Sequence, residues 1–94
     1  MNKVERFREI VNDAADLYAK KNADYGDSFG ETWSKLGPVS GITRMWDKMN
    51  RITSLIRGNE NHFESLEDNL KDLICYSTMA LIEVENAKEQ KNEK

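Results

Sequence analysis

The segment ESLEDNLKDLICYSTMAL, from Glu64 to Leu81, limits the folds open to this chain more than any other. It places acids at Glu64, Asp68 and Asp72 and then enters the longest apolar run of the sequence. On an α-helix Asp68 and Asp72 stack one turn apart on one face. Leu66, Leu70, Leu73, Ile74, Ser77, Ala80, Leu81 and Val84 project to a broad second side, which the pattern assigns to the intrachain core. Cys75, Met79 and Ile82 continue the line of Asp68 and Asp72. A helix apolar nearly all round is covered on more than one side. Two other helices in a chain of 94 residues cannot cover it completely. The pattern therefore predicts a homodimer or higher homo-oligomer, with this helix packed on a symmetry mate and Asp68 and Asp72 at the mouth of a helical bundle.

The rest of the chain supplies the other helices. Val4, Phe7, Ile10, Val11, Ala14, Leu17 and Tyr18 recur at spacings of three and four, which predicts a first helix over residues 2–21. Lys21 to Pro38 contains Gly26, Gly30 and Gly37 with Asp24, Asp27 and Ser28, all turn formers, and reads as a long loop. Its Tyr25, Phe29 and Trp33 imply that it folds back onto something, and a short helical turn fits Glu31 to Leu36. Pro38 suits the first position of a second helix. There Ile42, Met45, Trp46, Met49, Ile52 and Ile56 read as one core stripe, and Gly58 as the stop. A linker over Asn59–Phe63, holding the lone His62, leads to the third helix. Ser65 and Asp68 have the form of a capping box, and the helix runs to about Ala87. The expected fold is an all-α, three-helix chain with a long loop after helix one, forming an oligomeric bundle. One domain spans 1–88, and 89–94 is a frayed charged tail.

Composition narrows the function. A third of the residues are charged, yet the net charge is only −3. A protein that tracks a long nucleic acid usually carries a basic excess. One small anionic ligand on a local basic cluster remains compatible. Cys75 is the only cysteine, so no disulfide forms within the chain, and a reducing, cytoplasmic setting is the simpler reading. The N-terminus lacks the apolar core of a secretory leader, and no run approaches the ~20 residues of a membrane span.

Each candidate group has two roles open to it. Glu64, Asp68, Asp72 and Asp47 suit a hard divalent cation such as Mg²⁺, and equally suit a solvated helix start. Arg44, Lys48 and Arg51 suit phosphate oxygens, or an intrahelical network with Asp47. Lys21 and Asn22, next to the turn of Asp24, Tyr25 and Gly26, suit a nucleotide's phosphate or sugar, with Tyr25 or Trp33 stacked on a base. They suit a capping turn as well. Trp46 and the methionines read as core, and Cys75 as a buried thiol.

The ordered set K-N-x-D-Y-G-D-S-F, then R-M-W-D-K-x-x-R, then E-S-x-E-D-x-x-x-D-L-x-x-Y resembles the type one nucleotide modification associated domain, a small family common in phages and bacteria. That family is considered similar to the MazG-like all-α nucleoside triphosphate pyrophosphohydrolases. The resemblance implies a Mg²⁺-dependent oligomeric bundle acting between the α- and β-phosphates of a nucleotide. Asp72 stands for the final Asp of the hydrolase E-x-x-D. The Glu expected three residues earlier falls on Asn69, with Asp68 as the nearest acid. The second helix has no E-x-x-E and only Asp47.

The resulting expectation is a nucleotide-handling domain. Asp68, Asp72 and Glu64 would be catalytic, and with Asp47 would hold Mg²⁺. Lys21, Arg44, Lys48 and Arg51 would hold phosphates, flanked by Asn22 and Asp24, and Tyr25 and Trp33 would meet the base. A non-enzymatic nucleotide-sequestering protein and a protein-interaction module are the alternatives, kept open by the acid-poor second helix.

Overall fold

A computed structural model describes residues 2–58 and 63–92. The described residues form four helices and no strand: α1 (Lys3–Tyr25), α2 (Ser28–Leu36), α3 (Val39–Arg57) and α4 (Phe63–Asn92). None is long and apolar enough to cross a membrane.

The all-helical class is as expected, but three helices become four and the long loop disappears. α1 continues four residues past Lys21, ending where Gly26 takes φ +67° and its N–H closes on the Asn22 carbonyl. After that turn Asp27 caps α2, its carboxylate accepting from the Gly30 N–H at 3.1 Å. Gly37, at φ +82°, ends α2, and Pro38 opens α3. The supposed loop is thus two glycine-terminated helix ends around a short helix.

α3 and α4 form the central antiparallel pair. Leu55 borders Ser65, Lys48 pairs with Asp72, and Arg44 lies over Tyr76, so numbering falls along α3 as it rises along α4. Ile52, Ala80 and Asn69 are the buried side chains of this pair. Asn69, at the position of the expected Glu, donates its amide to the Ser65 carbonyl at 2.7 Å. α4 begins at Phe63, so Ser65 sits inside the helix and forms no capping box. The helix also passes Ala87 and is described to Asn92. Asn59 to His62 lie outside the described residues.

α2 plugs one end of this pair. Phe29 is buried, stacked on Tyr76 at 6.2 Å between ring centroids and packed by Trp33 at 6.0 Å. Gly41 lets α3 approach these rings. A Cβ there would stand 2.7 Å from Trp33 Cζ3 and 2.9 Å from Phe29 Cζ.

α1 lies along α4 in the same direction. Ile10 borders Ile74, the Cys75 Sγ is 3.9 Å from the Ala14 carbonyl, and Tyr18 reaches Met79. The line of Cys75, Met79 and Ile82, expected to meet a symmetry mate, therefore faces α1. Two further expectations fail for a physical reason. Leu70, Leu81 and Val84 are exposed rather than core, because α3 packs against α4 along Leu66, Asn69, Leu73, Tyr76 and Ala80. Trp46 is 67% exposed and Met49 is also exposed, because α3 turns the neighbouring line of Gly41, Met45, Ile52 and Leu55 inward.

Candidate functional site

A cleft of about 250 Å³ opens where all four helices meet. α1 contributes Tyr18, Lys21, Asn22 and Tyr25 from its last two turns. The first turn of α2 contributes Ser28 and Phe29, α3 contributes Arg44, and α4 contributes Asp72, Cys75, Tyr76 and Met79. The positive end of the α2 dipole thus borders the cleft, partly offset by the Asp27 carboxylate that caps it. Phe29, Tyr76 and Met79 supply apolar wall, while Lys21 and Arg44 supply two cations.

The polar groups are held in place. The Lys48 Nζ sits 3.0 Å from Asp72 Oδ2, with the two side chains 17% and 34% exposed. This ion pair bridges α3 and α4 and orients the carboxylate. The Arg44 guanidinium carbon lies 5.9 Å from the Tyr76 ring centroid, a cation–π contact, and Phe29 stacks on the same ring. The chain Phe29–Tyr76–Arg44 fixes where the cation points. Cys75 lines the cleft. Burial raises its thiol above the ordinary range, the Asp72 charge raises it further, and Lys21 opposes both.

Of the residues singled out from the sequence, the cleft gathers Lys21, Asn22, Tyr25, Arg44 and Asp72. A more open groove shares Arg44 and Tyr76 with it and is lined also by Asp47, Lys48, Asn50 and Arg51. Asp24, Trp33, Glu64 and Asp68 line neither. Trp33 packs behind Phe29, and Glu64 and Asp68 are exposed on earlier turns of α4. Among the described residues no three His, Cys, Asp or Glu side chains gather so as to hold a metal ion. Of Asp47, Glu64, Asp68 and Asp72, Asp72 is the one that lines the cleft. Sequence reasoning missed Tyr18, Ser28, Phe29 and Tyr76 as cleft residues. The Tyr of the D-L-x-x-Y block was the available signal for the last.

The family model for nucleotide modification associated domain 1 matches residues 21–84, more than half of the chain. The chain belongs to that family. The matched segment begins at Lys21, so it takes in both cleft cations, Lys21 and Arg44, together with Asp72 and Tyr76, and leaves out most of α1. In this nucleotide modification associated domain the cleft is thus built almost wholly from the family's own segment. No curated protein and no solved structure matches the chain significantly.

Proposed function

We propose that this nucleotide modification associated domain binds a nucleoside phosphate in the four-helix cleft. The observation that carries the reading is the convergence of Lys21 and Arg44, from α1 and α3, beside the aromatic wall of Tyr76 and Phe29. Two cations held on different helices fit the oxygens of one phosphate group, and Arg adds planar donors. Tyr25, 77% exposed at the rim, offers its ring to a base, and Asn22 offers an amide to the sugar or base edge. Arg51 adds a further cation in the adjoining groove, beside Asp47 and the Lys48–Asp72 pair, where a further phosphate would lie. The cleft is at the small end of ligand pockets, which suits a mononucleotide rather than a longer chain.

Binding is the part of the reading that the geometry supports best. Hydrolysis in the MazG-like manner calls for several carboxylates around metal, and here Glu64 and Asp68 stand away from the cleft while Asp72 is paired with Lys48. In this reading Mg²⁺ travels with the phosphates, completing its shell with phosphate oxygens and water, and Asp72 is the nearest carboxylate α4 offers. Calorimetric titration with nucleoside mono-, di- and triphosphates, each with Mg²⁺ and with a chelator, tests this. Saturable binding that Arg44→Ala weakens by about 1.5–3 kcal/mol is expected. Absence of binding by every nucleotide would overturn the reading, and release of pyrophosphate from a triphosphate would extend it to catalysis.

A further inference from the structure

A second pocket, also of about 250 Å³, opens between α1 and α4 and adjoins the cleft. Tyr18, Cys75 and Met79 line both, so the two spaces run into each other across these three side chains. Beyond them the walls are Val11, Ala14 and Ala15 of α1 and Ile74, Thr78 and Ile82 of α4. With side chains that end at Cβ, the two alanines leave the space open.

The lining decides what kind of group enters. No charged residue borders this pocket. Its polar side chains other than Tyr18 are engaged within the chain. The Thr78 Oγ1 donates to the Ile74 carbonyl at 2.7 Å, and the Cys75 Sγ lies 3.9 Å from the Ala14 carbonyl. A polar group placed here would lose water without gaining a partner, so the pocket suits an apolar one.

Helix α1 sets the order of the groups. Val11, Ala14, Tyr18, Lys21 and Tyr25 recur at alternating spacings of three and four and form one stripe of the helix. Tyr18 and Tyr25 stand about 10 Å apart along the axis, with Lys21 between them. A nucleotide whose base meets Tyr25 and whose phosphate meets Lys21 and Arg44 therefore turns the far side of that phosphate towards Tyr18 and the apolar pocket. A free monophosphate leaves the pocket empty, whereas a phosphate that carries an apolar group in ester linkage fills it.

We propose that the ligand is a nucleoside phosphate whose phosphate bears a second, apolar substituent, lodged between α1 and α4. This rests on the nucleotide reading and adds to it the class of nucleotide, an ester rather than a free monophosphate. Continuity with the cleft favours this occupant over a partner protein, as does size. The pocket holds one ring or one short branched chain, and a helix of about 10 Å diameter does not enter it.

Calorimetric titration of the full chain compares the 5′-monophosphates of the common ribo- and deoxynucleosides with the phenyl ester of each. For the nucleoside that binds best, the ester is expected to bind at least ~10-fold tighter, the worth of burying one apolar side group. Esterification also removes a phosphate charge, so the preference is read against the electrostatics and not with them. Ala15→Leu, which fills the pocket from an exposed position of α1, is expected to erase the preference. Ester binding no tighter than that of the monophosphate overturns the inference and leaves the nucleotide reading standing. A preference that Ala15→Leu does not reduce does the same. Binding by none of these compounds overturns the nucleotide reading and the inference with it. Should Ala15→Leu lose its helix content by circular dichroism, Thr78→Leu on the opposite wall decides by the same comparison.

Discussion

The two sides of the α3–α4 hairpin differ in what they present to the outside. On the cleft side the exposed groups are cations, an ion pair and aromatic rings, and other elements help to build the surface: α1 supplies Lys21 and α2 supplies Phe29. On the opposite side Ile42, Trp46, Met49, Leu81 and Val84 are exposed without comparable cover. The contrast assigns the sides different work. A surface rich in charge and supported by several helices suits a small anion, whereas a broad apolar one suits another protein surface. It also explains why the single-chain core is so small, with only Phe29, Ile52 and Ala80 as buried apolar residues among those described.

The largest expected effect probes the line between the sides. Ile52→Ala removes a buried side chain and should cost about 2–5 kcal/mol in chemical denaturation. Ile56→Ala, the same change one turn along on the exposed side, tests the homo-oligomer expected from the sequence. In a lone chain it would stay within about 0.5 kcal/mol, whereas in a paired chain its cost exceeds this and depends on protein concentration.

On the cleft side, Arg44→Ala should lower nucleotide affinity by about 1.5–3 kcal/mol, the worth of a charge-assisted hydrogen bond, measured by calorimetry. Gly41→Leu should destabilise by about 1–3 kcal/mol, because the new side chain drives into Trp33 and Phe29. It should also weaken nucleotide binding, since Phe29 supports Tyr76. Lys48→Met breaks the pair with Asp72, and its effect on stability should stay within about 1 kcal/mol, as for part-exposed ion pairs.

The smallest effect is a rate. Because the Cys75 thiol is held above its ordinary range by burial and then by Asp72, its labelling should be slow at neutral pH and accelerate as pH rises. Asp72→Asn should speed the labelling and Lys21→Ala should slow it. The neutral thiol is the favoured form in the folded chain. Its contribution to stability is therefore complete below the unfolded thiol value and is lost as pH rises through the raised folded value.

The helical class was legible because α1, α3 and α4 carry clear three- and four-residue periodicity. Of α2 only the turn over Glu31 to Leu36 was, because Gly26, Asp27, Ser28, Gly30 and Gly37 are the vocabulary of a loop. Helix α2 survives its internal glycine because Gly30 is the residue that Asp27 caps, and a Cβ there would overlap that carboxylate. The inward faces were harder still. α3 carries two apolar seams side by side, and periodicity reads them as one wide stripe without saying which turns inward. On α4 the same ambiguity hid Asn69 and Tyr76 among the α3-facing positions. Within the candidate site, Lys21, Asn22, Tyr25, Arg44 and Asp72 were named from their chemistry before any geometry. Tyr18, Phe29 and Tyr76 were not, because their place depends on how three helices converge.

Nucleotide binding in the cleft can be read residue by residue in a two-dimensional amide NMR titration of the full chain with a nucleoside phosphate. The account predicts saturable shifts clustered at Lys21, Asn22, Gly26, Arg44 and Tyr76, with Ile42, Met49 and Leu81 unmoved. No shifts at any concentration, or shifts centred on the apolar side, would contradict it.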